Sequence, residues 1–264
     1  MCTKMTGMTH IPTQTKLAPS SPSRAVMVQA LGTLAVLGPM AIWLSYNLAE
    51  FGGAPMPRDA AVATALMLAL GGAAMVAALW RGAYPHDRLG WCNVVTATRG
   101  AGICILAGLV FVPNALGTLG WALVGLAALT LALDGLDGWL ARRSGLRSEF
   151  GARFDVESDV AFATVLALLA WQADKAGLWF VALGVLRPAY LGASLFWAAL
   201  RIPLPDAYWR KCMAAMQMIV QVALLAPIVV PPLSTGIAGV LLSVMILSFA
   251  VDIRWQFQQH GRVQ

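Results

Sequence analysis

Long runs of apolar residues dominate this chain and limit what it can fold into. Hydrophobic residues make up 59% of the 264 residues, and only 11% are charged. A helix needs about 20 predominantly apolar residues to cross the hydrocarbon core of a bilayer. The sequence therefore predicts an all-α, polytopic membrane helical bundle. The candidate spans lie near residues 26–48, 60–80, 93–112, 117–140, 155–173, 177–199, 212–230 and 235–253.

Basic residues are distributed unevenly between the two ends of these spans. If the N-terminus is cytoplasmic, 15 of the 18 Lys and Arg residues fall in cytoplasmic segments, Arg58 and Lys175 fall on the other side, and Arg187 lies within a span. This asymmetry follows the positive-inside rule for eight crossings. We therefore predict a multi-pass protein of the cytoplasmic (inner) membrane with both termini in the cytoplasm. The same asymmetry explains the net charge of +6 without nucleic-acid binding.

Four aspartates lie inside or beside the apolar runs, in the segment DGLDGWLARRSGLRSEFGARFDVESD. Asp134 and Asp137 are three residues apart, so on a helix they lie about 60° from each other. Asp155 and Asp159 are four apart and also share a stripe. Carboxylates at membrane depth are costly unless something compensates them, and they are functional by default. If the two helices pack as an antiparallel hairpin, the four carboxylates line one cytoplasmic cavity, where bound metal compensates them.

Small residues lie on the same helix faces as the aspartates. Gly138 and Ala141 continue the first stripe, Arg142 lies at its edge, and Gly151 precedes Asp155 by one turn. A bulky anionic group can approach the backbone on such a face. Oxygen ligands without nearby His or Cys favour Mg²⁺ or Mn²⁺ over zinc, and Mg²⁺ often shares its shell with substrate phosphates. Helix caps at the interface and the cation pathway of a transporter are the alternatives.

The aspartates and small residues spell D-x-x-D-G-x-x-A-R-x8-G-x-x-x-D-x-x-x-D without a mismatch. This pattern resembles the signature of the CDP-alcohol phosphotransferase (CDP-alcohol phosphatidyltransferase) family. The resemblance implies a six-helix membrane core at about residues 90–257, here preceded by two extra N-terminal transmembrane helices. The domain division is then a disordered cytoplasmic tail at 1–24, two transmembrane helices of unknown role at 25–80, the catalytic domain at 81–257 and a cytoplasmic tail at 258–264. A homodimer is a further expectation from the family.

The resemblance also implies which residues bind metal. Two ions, Mg²⁺ or Mn²⁺, would be held by Asp134, Asp137 and Asp155. Asp159 would serve as a ligand, as the base that takes the proton of the acceptor hydroxyl, or as both.

Two further groups of residues are expected to bind the nucleotide. Gly138, Ala141, Arg142 and Gly151 would accommodate cytidine and diphosphate. Asn93, Thr96 and Arg99 resemble the Asn-x-x-Thr-x-x-Arg segment that many family members carry before their first core helix, and they would contact the phosphates. The alternative for this second group is a capped helix start from which Arg99 extends to the interface.

Arg187 and Lys211 are the candidates for binding the acceptor. An Arg buried within a span requires an anion, and relatives carry an arginine associated with the acceptor in the corresponding helix. The alternative for Arg187 is a structural ion pair with Glu157, which is predicted to face away from the aspartate cavity. Lys211 resembles a basic residue of the family near the acceptor site, although positive-inside anchoring also explains it.

Together these features predict a metal-dependent membrane enzyme of phospholipid biosynthesis. It would transfer a phosphatidyl group from CDP-diacylglycerol, a CDP-linked lipid donor, to a polar alcohol and release CMP. One alternative is an enzyme that uses a soluble CDP-aminoalcohol and diacylglycerol. The alternative from another class is a cation-coupled transporter, for which carboxylates at several depths and inverted repeats are expected. The four cysteines show no paired spacing, which predicts neither a disulfide nor a zinc site.

Overall fold

The computed structural model describes residues 23–80, 90–112, 115–144, 149–205 and 207–263. Within these ranges the chain forms eight α-helices and two short 3-10 helices, and no strand. The α-helices are α1 (Arg24–Phe51), α2 (Pro57–Trp80), α3 (Gly90–Leu109), α4 (Ala115–Ser144), α5 (Glu149–Gln172), α6 (Ala182–Phe196), α7 (Tyr208–Leu224) and α8 (Leu233–Val263). The predicted all-helical fold is confirmed, with one helix at each predicted span. Most of the tail predicted at 1–24 lies outside the described residues.

Six of the described helical segments are long and apolar enough to cross a membrane by length and composition. Helices α5 and α7 are not among them. The first half of α5 is too rich in charged residues. Helix α7 has only 17 residues, and its first turn contains Arg210 and Lys211. The chain is therefore a multi-pass membrane protein, and the eight crossings stay a prediction.

Some helix boundaries differ from the predicted spans. The sixth span is interrupted, because 3-10 helices at Leu178–Val181 and Ala198–Arg201 flank α6. The seventh was predicted to reach residue 230, but α7 ends at Leu224. Pro227 follows three residues later, and proline cannot donate the backbone hydrogen bond that a continuing helix requires. At the other end, α8 continues to Val263, so most of the predicted C-terminal tail is helical.

Helix α3 is the central element of the bundle. It packs against α1, α2, α4 and α5. More than half of its apolar window is buried, whereas no other candidate span exceeds 28%. Gly102 brings α3 close to α4, since a Cβ at this position would lie 2.6 Å from the Thr130 hydroxyl oxygen. This packing holds the side chains at the start of α3 beside α4 and α5.

The two N-terminal helices pack tightly on α3 through small and hydroxyl residues. The Thr64 hydroxyl of α2 lies 2.8 Å from that of Ser45 on α1 and 3.3 Å from the carbonyl oxygen of Cys104 on α3. A Cβ at Gly108 would lie 2.1 Å from the Thr64 hydroxyl oxygen and 2.5 Å from the Ala60 carbonyl oxygen. Close backbone approach at small residues is how helices associate in lipid. The hairpin of α1 and α2 is therefore integral to the bundle.

Gly108→Ala is expected to destabilise the protein because the new methyl group meets backbone and cannot be accommodated by a side-chain rotation. Overpacking of this kind costs about 1–3 kcal/mol. Gly100→Ala on the same helix is the matched control, since a Cβ there meets nothing within 4 Å. Thermal unfolding of both variants in detergent should show a lower midpoint for Gly108→Ala alone. Equal midpoints would contradict the tight packing of the hairpin.

Polar side chains close the end of the bundle opposite the aspartates. Gln172, at the end of α5, donates to the carbonyl oxygens of Val110 and Val112 at 2.6 and 2.7 Å. Lys175 is buried and donates to the carbonyl oxygens of Ala226 and Val229. These bonds tie the end of α5 to carbonyl oxygens in the turns that follow α3 and α7. Side-chain hydrogen bonds therefore hold the helices together at this end, and the candidate site residues lie at the other end.

Candidate active site

Helices α4 and α5 bring their aspartates to the same end of the bundle. Only four residues separate the end of α4 at Ser144 from the start of α5 at Glu149, so these two helix ends lie at the same end of the bundle. Within the described residues, α4 and α5 each pack against α3 and α7 rather than extensively against each other. The two acidic stripes therefore face a space that the start of α3 also enters.

Three of the four aspartates converge. Oxygen atoms of Asp134, Asp137 and Asp155 all lie within 4.8 Å of one another. Asp137 is buried, and the other two are half-buried. Three carboxylates from two helices form the hard oxygen donor set that Mg²⁺ and Mn²⁺ prefer, so these residues fit a divalent metal. Asp159 lies outside this group of three.

Arg99 joins the acidic residues in a way that the sequence did not predict. From α3, its Nη1 pairs with Asp134 Oδ1 at 2.9 Å and donates to Asp155 Oδ1 at 2.8 Å, and its Nη2 donates to Asp159. The Arg99 side chain is 1% exposed. The alternative in which it extends to the membrane interface is therefore wrong: Arg99 is a buried counter-ion between both acidic stripes.

Thr96 and Asn93 lie on the same side of α3 as Arg99. The Thr96 hydroxyl lies 3.0 Å from Asp137 Oδ2 and 2.9 Å from the carbonyl oxygen of Cys92. Asn93 is 8% exposed. The predicted triplet thus borders the carboxylates, and its contact with a nucleotide stays a prediction.

The small residues of the two stripes are placed beside the aspartates. Gly138 on α4 and Gly151 on α5 are half-buried. Ala141 and Arg142 belong to α4, but their side chains lie outside the described part of the structure. The nucleotide-binding role of all four residues stays a prediction.

A cavity adjoins Asp159. Its volume is about 470 Å³, and it is lined by residues of α5, α6, α7 and α8. Arg187 and Lys211, the two residues predicted to bind the acceptor, both line it together with Asp159. The structure thus brings the predicted base and the two predicted acceptor-binding cations to one cavity.

The sequence predicted that Arg187 is buried within a span, and the structure differs. Arg187 is exposed, and so is Glu157. Within the described residues the structure shows no ion pair between the two. The alternative of a structural pair is therefore not supported, because the Arg187 guanidinium faces the cavity.

Arg210 and Asp252 also line this cavity, and neither was predicted to belong to a site. Arg210 Nη1 pairs with Asp252 Oδ1 at 3.2 Å, and Nη2 donates to the carbonyl oxygen of Pro205. This pair ties α7 to α8 at the rim. A carboxylate near the end of a predicted span is functional by default, so Asp252 could have been found by the reasoning that identified the other aspartates.

An apolar groove between α7 and α8 adjoins the cavity. Its volume is about 890 Å³, and all its lining residues are apolar or Gly, among them Met216, Val220, Ile237 and Val240. Met213 lines both the groove and the cavity. The cavity that contains the charged residues and the wholly apolar groove therefore meet at Met213 of α7.

Comparison with known proteins gives one match. A family model described as CDP-alcohol phosphatidyltransferase matches residues 89–251, which is more than half of the chain. No curated protein and no solved structure matches. The matched region begins just before α3 and ends within α8, so it includes every predicted site residue.

Proposed function

Because the chain belongs to the CDP-alcohol phosphatidyltransferase family, we propose that it transfers a phosphatidyl group from CDP-diacylglycerol to a polar alcohol and releases CMP. The observation that carries this proposal is the convergence of Asp134, Asp137 and Asp155 at one end of the bundle. The positive-inside asymmetry supports a location in the cytoplasmic membrane, with this end at the cytoplasmic side.

Asp134, Asp137 and Asp155 would hold the metal, which is Mg²⁺ or Mn²⁺ in a two-ion site. Bound there, divalent ions neutralise the diphosphate of the donor and favour departure of CMP. Asn93, Thr96 and the small residues of α4 and α5 would position the nucleotide. Asn93 is buried, and Thr96, Gly138 and Gly151 are half-buried, which would limit the access of bulk water to the reacting phosphates.

Asp159 is the residue best placed to accept the proton of the acceptor. It lies outside the three-carboxylate group, lines the adjoining cavity and has an exposed fraction of 35%. In the proposed reaction the acceptor oxygen forms a bond to the phosphatidyl phosphorus, and the bond from that phosphorus to the CMP oxygen breaks. The hydroxyl proton passes to Asp159, and CMP leaves with the bonding electron pair.

The cavity supports an anionic acceptor, such as a phosphate-bearing alcohol. Arg187 and Lys211 have no ion-pair partner within the described residues, whereas Arg210 is paired with Asp252. Two unpaired cations beside a base favour an anion that also carries a hydroxyl. The apolar groove beyond Met213 suits an acyl chain of the lipid donor.

The alternatives fit these observations less well. A diacylglycerol acceptor is uncharged, so an enzyme using a soluble CDP-aminoalcohol would have no use for the two unpaired cations. A transporter is expected to carry carboxylates at several depths, often in inverted halves. The site aspartates of α4 and α5 instead lie at one end of the bundle, and at the opposite end Gln172 and Lys175 donate hydrogen bonds to backbone carbonyl oxygens.

The proposal is tested by incubating the purified protein with labelled CDP-diacylglycerol and a panel of alcohols. Glycerol 3-phosphate, inositol phosphate, serine and glycerol cover anionic, zwitterionic and neutral acceptors. We expect CMP to form with a phosphate-bearing alcohol. CMP formation only from a CDP-aminoalcohol with diacylglycerol would establish the alternative donor, and no CMP under any condition would contradict the proposed reaction.

The double variant Arg187→Gln/Lys211→Gln is expected to raise the KM for the anionic acceptor by about tenfold or more, because two charge-assisted contacts are lost. The KM for the donor should be unchanged. Arg254→Gln is the matched control, since Arg254 is exposed on α8 and does not line the cavity. An unchanged acceptor KM in the double variant would remove both residues from the acceptor site.

A further inference from the structure

Arg99 and a divalent cation require the same carboxylates. Asp134 and Asp155 belong to the converging group of three, and both are also ion-pair partners of Arg99. A carboxylate oxygen that serves a guanidinium offers less negative charge to a metal ion. The two cations therefore oppose each other at the site.

Arg99 reaches this position from the most buried helix of the bundle. Its guanidinium can donate five hydrogen bonds, yet its Nε–H has no partner within the described residues although the atom is buried. The ion pairs thus leave one buried donor unsatisfied, which is unfavourable. Because this donor is unsatisfied, the Arg99 guanidinium is suited to leave the carboxylates for a ligand that offers more hydrogen-bond acceptors.

The diphosphate of the donor would supply such acceptors. Phosphate oxygens accept charge-assisted hydrogen bonds from arginine in a bidentate geometry. If Arg99 moves from the carboxylates to the phosphates, the oxygens of Asp134 and Asp155 become fully available to metal. Binding of diphosphate and binding of metal then strengthen each other, as linkage requires.

We propose that Arg99 is an exchangeable counter-ion that competes with the divalent cation for Asp134 and Asp155, so that tight metal binding depends on the donor diphosphate. The first part concerns the carboxylates and Arg99 alone. The dependence on diphosphate rests on the proposed function. Arg99 would thereby couple the binding of metal to the binding of nucleotide.

The test is a titration with Mn²⁺ followed by electron paramagnetic resonance, using full-length protein in detergent. Arg99→Met removes the charge but keeps an unbranched side chain, and we expect it to bind Mn²⁺ about tenfold more tightly than wild type when no nucleotide is present. Arg254→Met, the same charge change on the exposed side of α8, should leave Mn²⁺ affinity unchanged. Equal affinity in Arg99→Met and wild type would show that Arg99 does not compete. Weaker binding would show that it only holds the carboxylates in place, and either result overturns the proposal.

The same titration with CDP as the diphosphate probe tests the coupling. In wild type, CDP should strengthen Mn²⁺ binding more than it does in Arg99→Met, since the variant has no counter-ion to remove. Equal strengthening in the two proteins would overturn the coupling. Comparison at the same CDP concentration cancels Mn²⁺ bound by CDP itself.

Unfolding measurements keep the proposal falsifiable if Arg99→Met folds poorly. The carboxylates of the variant repel one another without a counter-ion, so its midpoint should fall in EDTA and rise with Mn²⁺ by more than that of wild type. Arg99→Lys retains the positive charge but lacks the planar set of guanidinium donors. Its Mn²⁺ affinity and its unfolding midpoint should both lie between those of wild type and Arg99→Met. A Lys variant that binds Mn²⁺ more weakly than wild type would overturn the proposal. None of these readouts depends on CMP release, so failure here is distinct from failure of the proposed reaction.

Discussion

Asp155→Asn is expected to lower the rate of CMP release at least about a hundred-fold, the scale of losing one preorganised electrostatic group in an active site. Asp155 is the residue of α5 that meets the two aspartates of α4. Asparagine keeps the shape of the side chain but removes its charge and replaces one oxygen by an amide nitrogen, which faces a metal or the Arg99 guanidinium with the wrong polarity. The measurement is release of CMP from CDP-diacylglycerol by the purified variant.

Glu157→Gln is the matched control for this substitution. Glu157 lies two residues further along α5 and is exposed, so the same loss of one charge should leave the rate within about twofold of wild type, as for most surface charges. The variant Asp155→Asn should insert and remain folded, which size-exclusion chromatography in detergent can verify. Full activity in folded Asp155→Asn would contradict the assignment of the site.

Removal of divalent metal is expected to abolish the transfer reaction almost completely. Three carboxylates within 4.8 Å of one another, with one arginine between the stripes, leave the site with excess negative charge that would repel a diphosphate. Treatment with a chelator should lower CMP release below about 1% of the untreated rate. Added Mg²⁺ or Mn²⁺ should restore it.

The design of the chelation experiment separates metal from secondary effects. Ca²⁺ is a useful comparison because it binds oxygen ligands at longer distances and with a different geometry, so it should restore the rate poorly. The unfolding midpoint should be measured in parallel to show that the chelated protein is still folded. The hydrogen bonds of Gln172 and Lys175 at the opposite end of the bundle do not involve the aspartates. Transfer that persists at an unchanged rate after exhaustive chelation would contradict metal dependence.

The helices and the acidic stripes could be predicted because they depend on local rules. The length of apolar runs determines where membrane helices form, and residues three or four apart share a helix face. These rules sufficed to place Asp134, Asp137 and Asp155 in one site. Arg187 became a candidate because a charge within a span requires a partner, and Lys211 because it resembles a basic residue of the family. Both line one cavity with Asp159.

The position of α3 between the acidic stripes could not be predicted by the same rules. It depends on contacts between helices distant in the sequence, such as Gly102 against Thr130 and Gly108 against Thr64. Without knowledge of that packing, the sequence predicts that Arg99 lies near the membrane interface or near phosphate. It does not predict the ion pairs of Arg99 with three aspartates. The exposure of Arg187 had the same cause, since only the arrangement of α5 to α8 creates the cavity that it faces.

Anomalous diffraction from crystals grown with Mn²⁺ and CDP tests the central claim most directly. The account predicts at least one manganese peak about 2.0–2.6 Å from carboxylate oxygens of Asp134, Asp137 and Asp155, with the Arg99 guanidinium moved toward the phosphates. A structure in which these oxygens bind no manganese, while Arg99 keeps its pairs with Asp134 and Asp155, would contradict it.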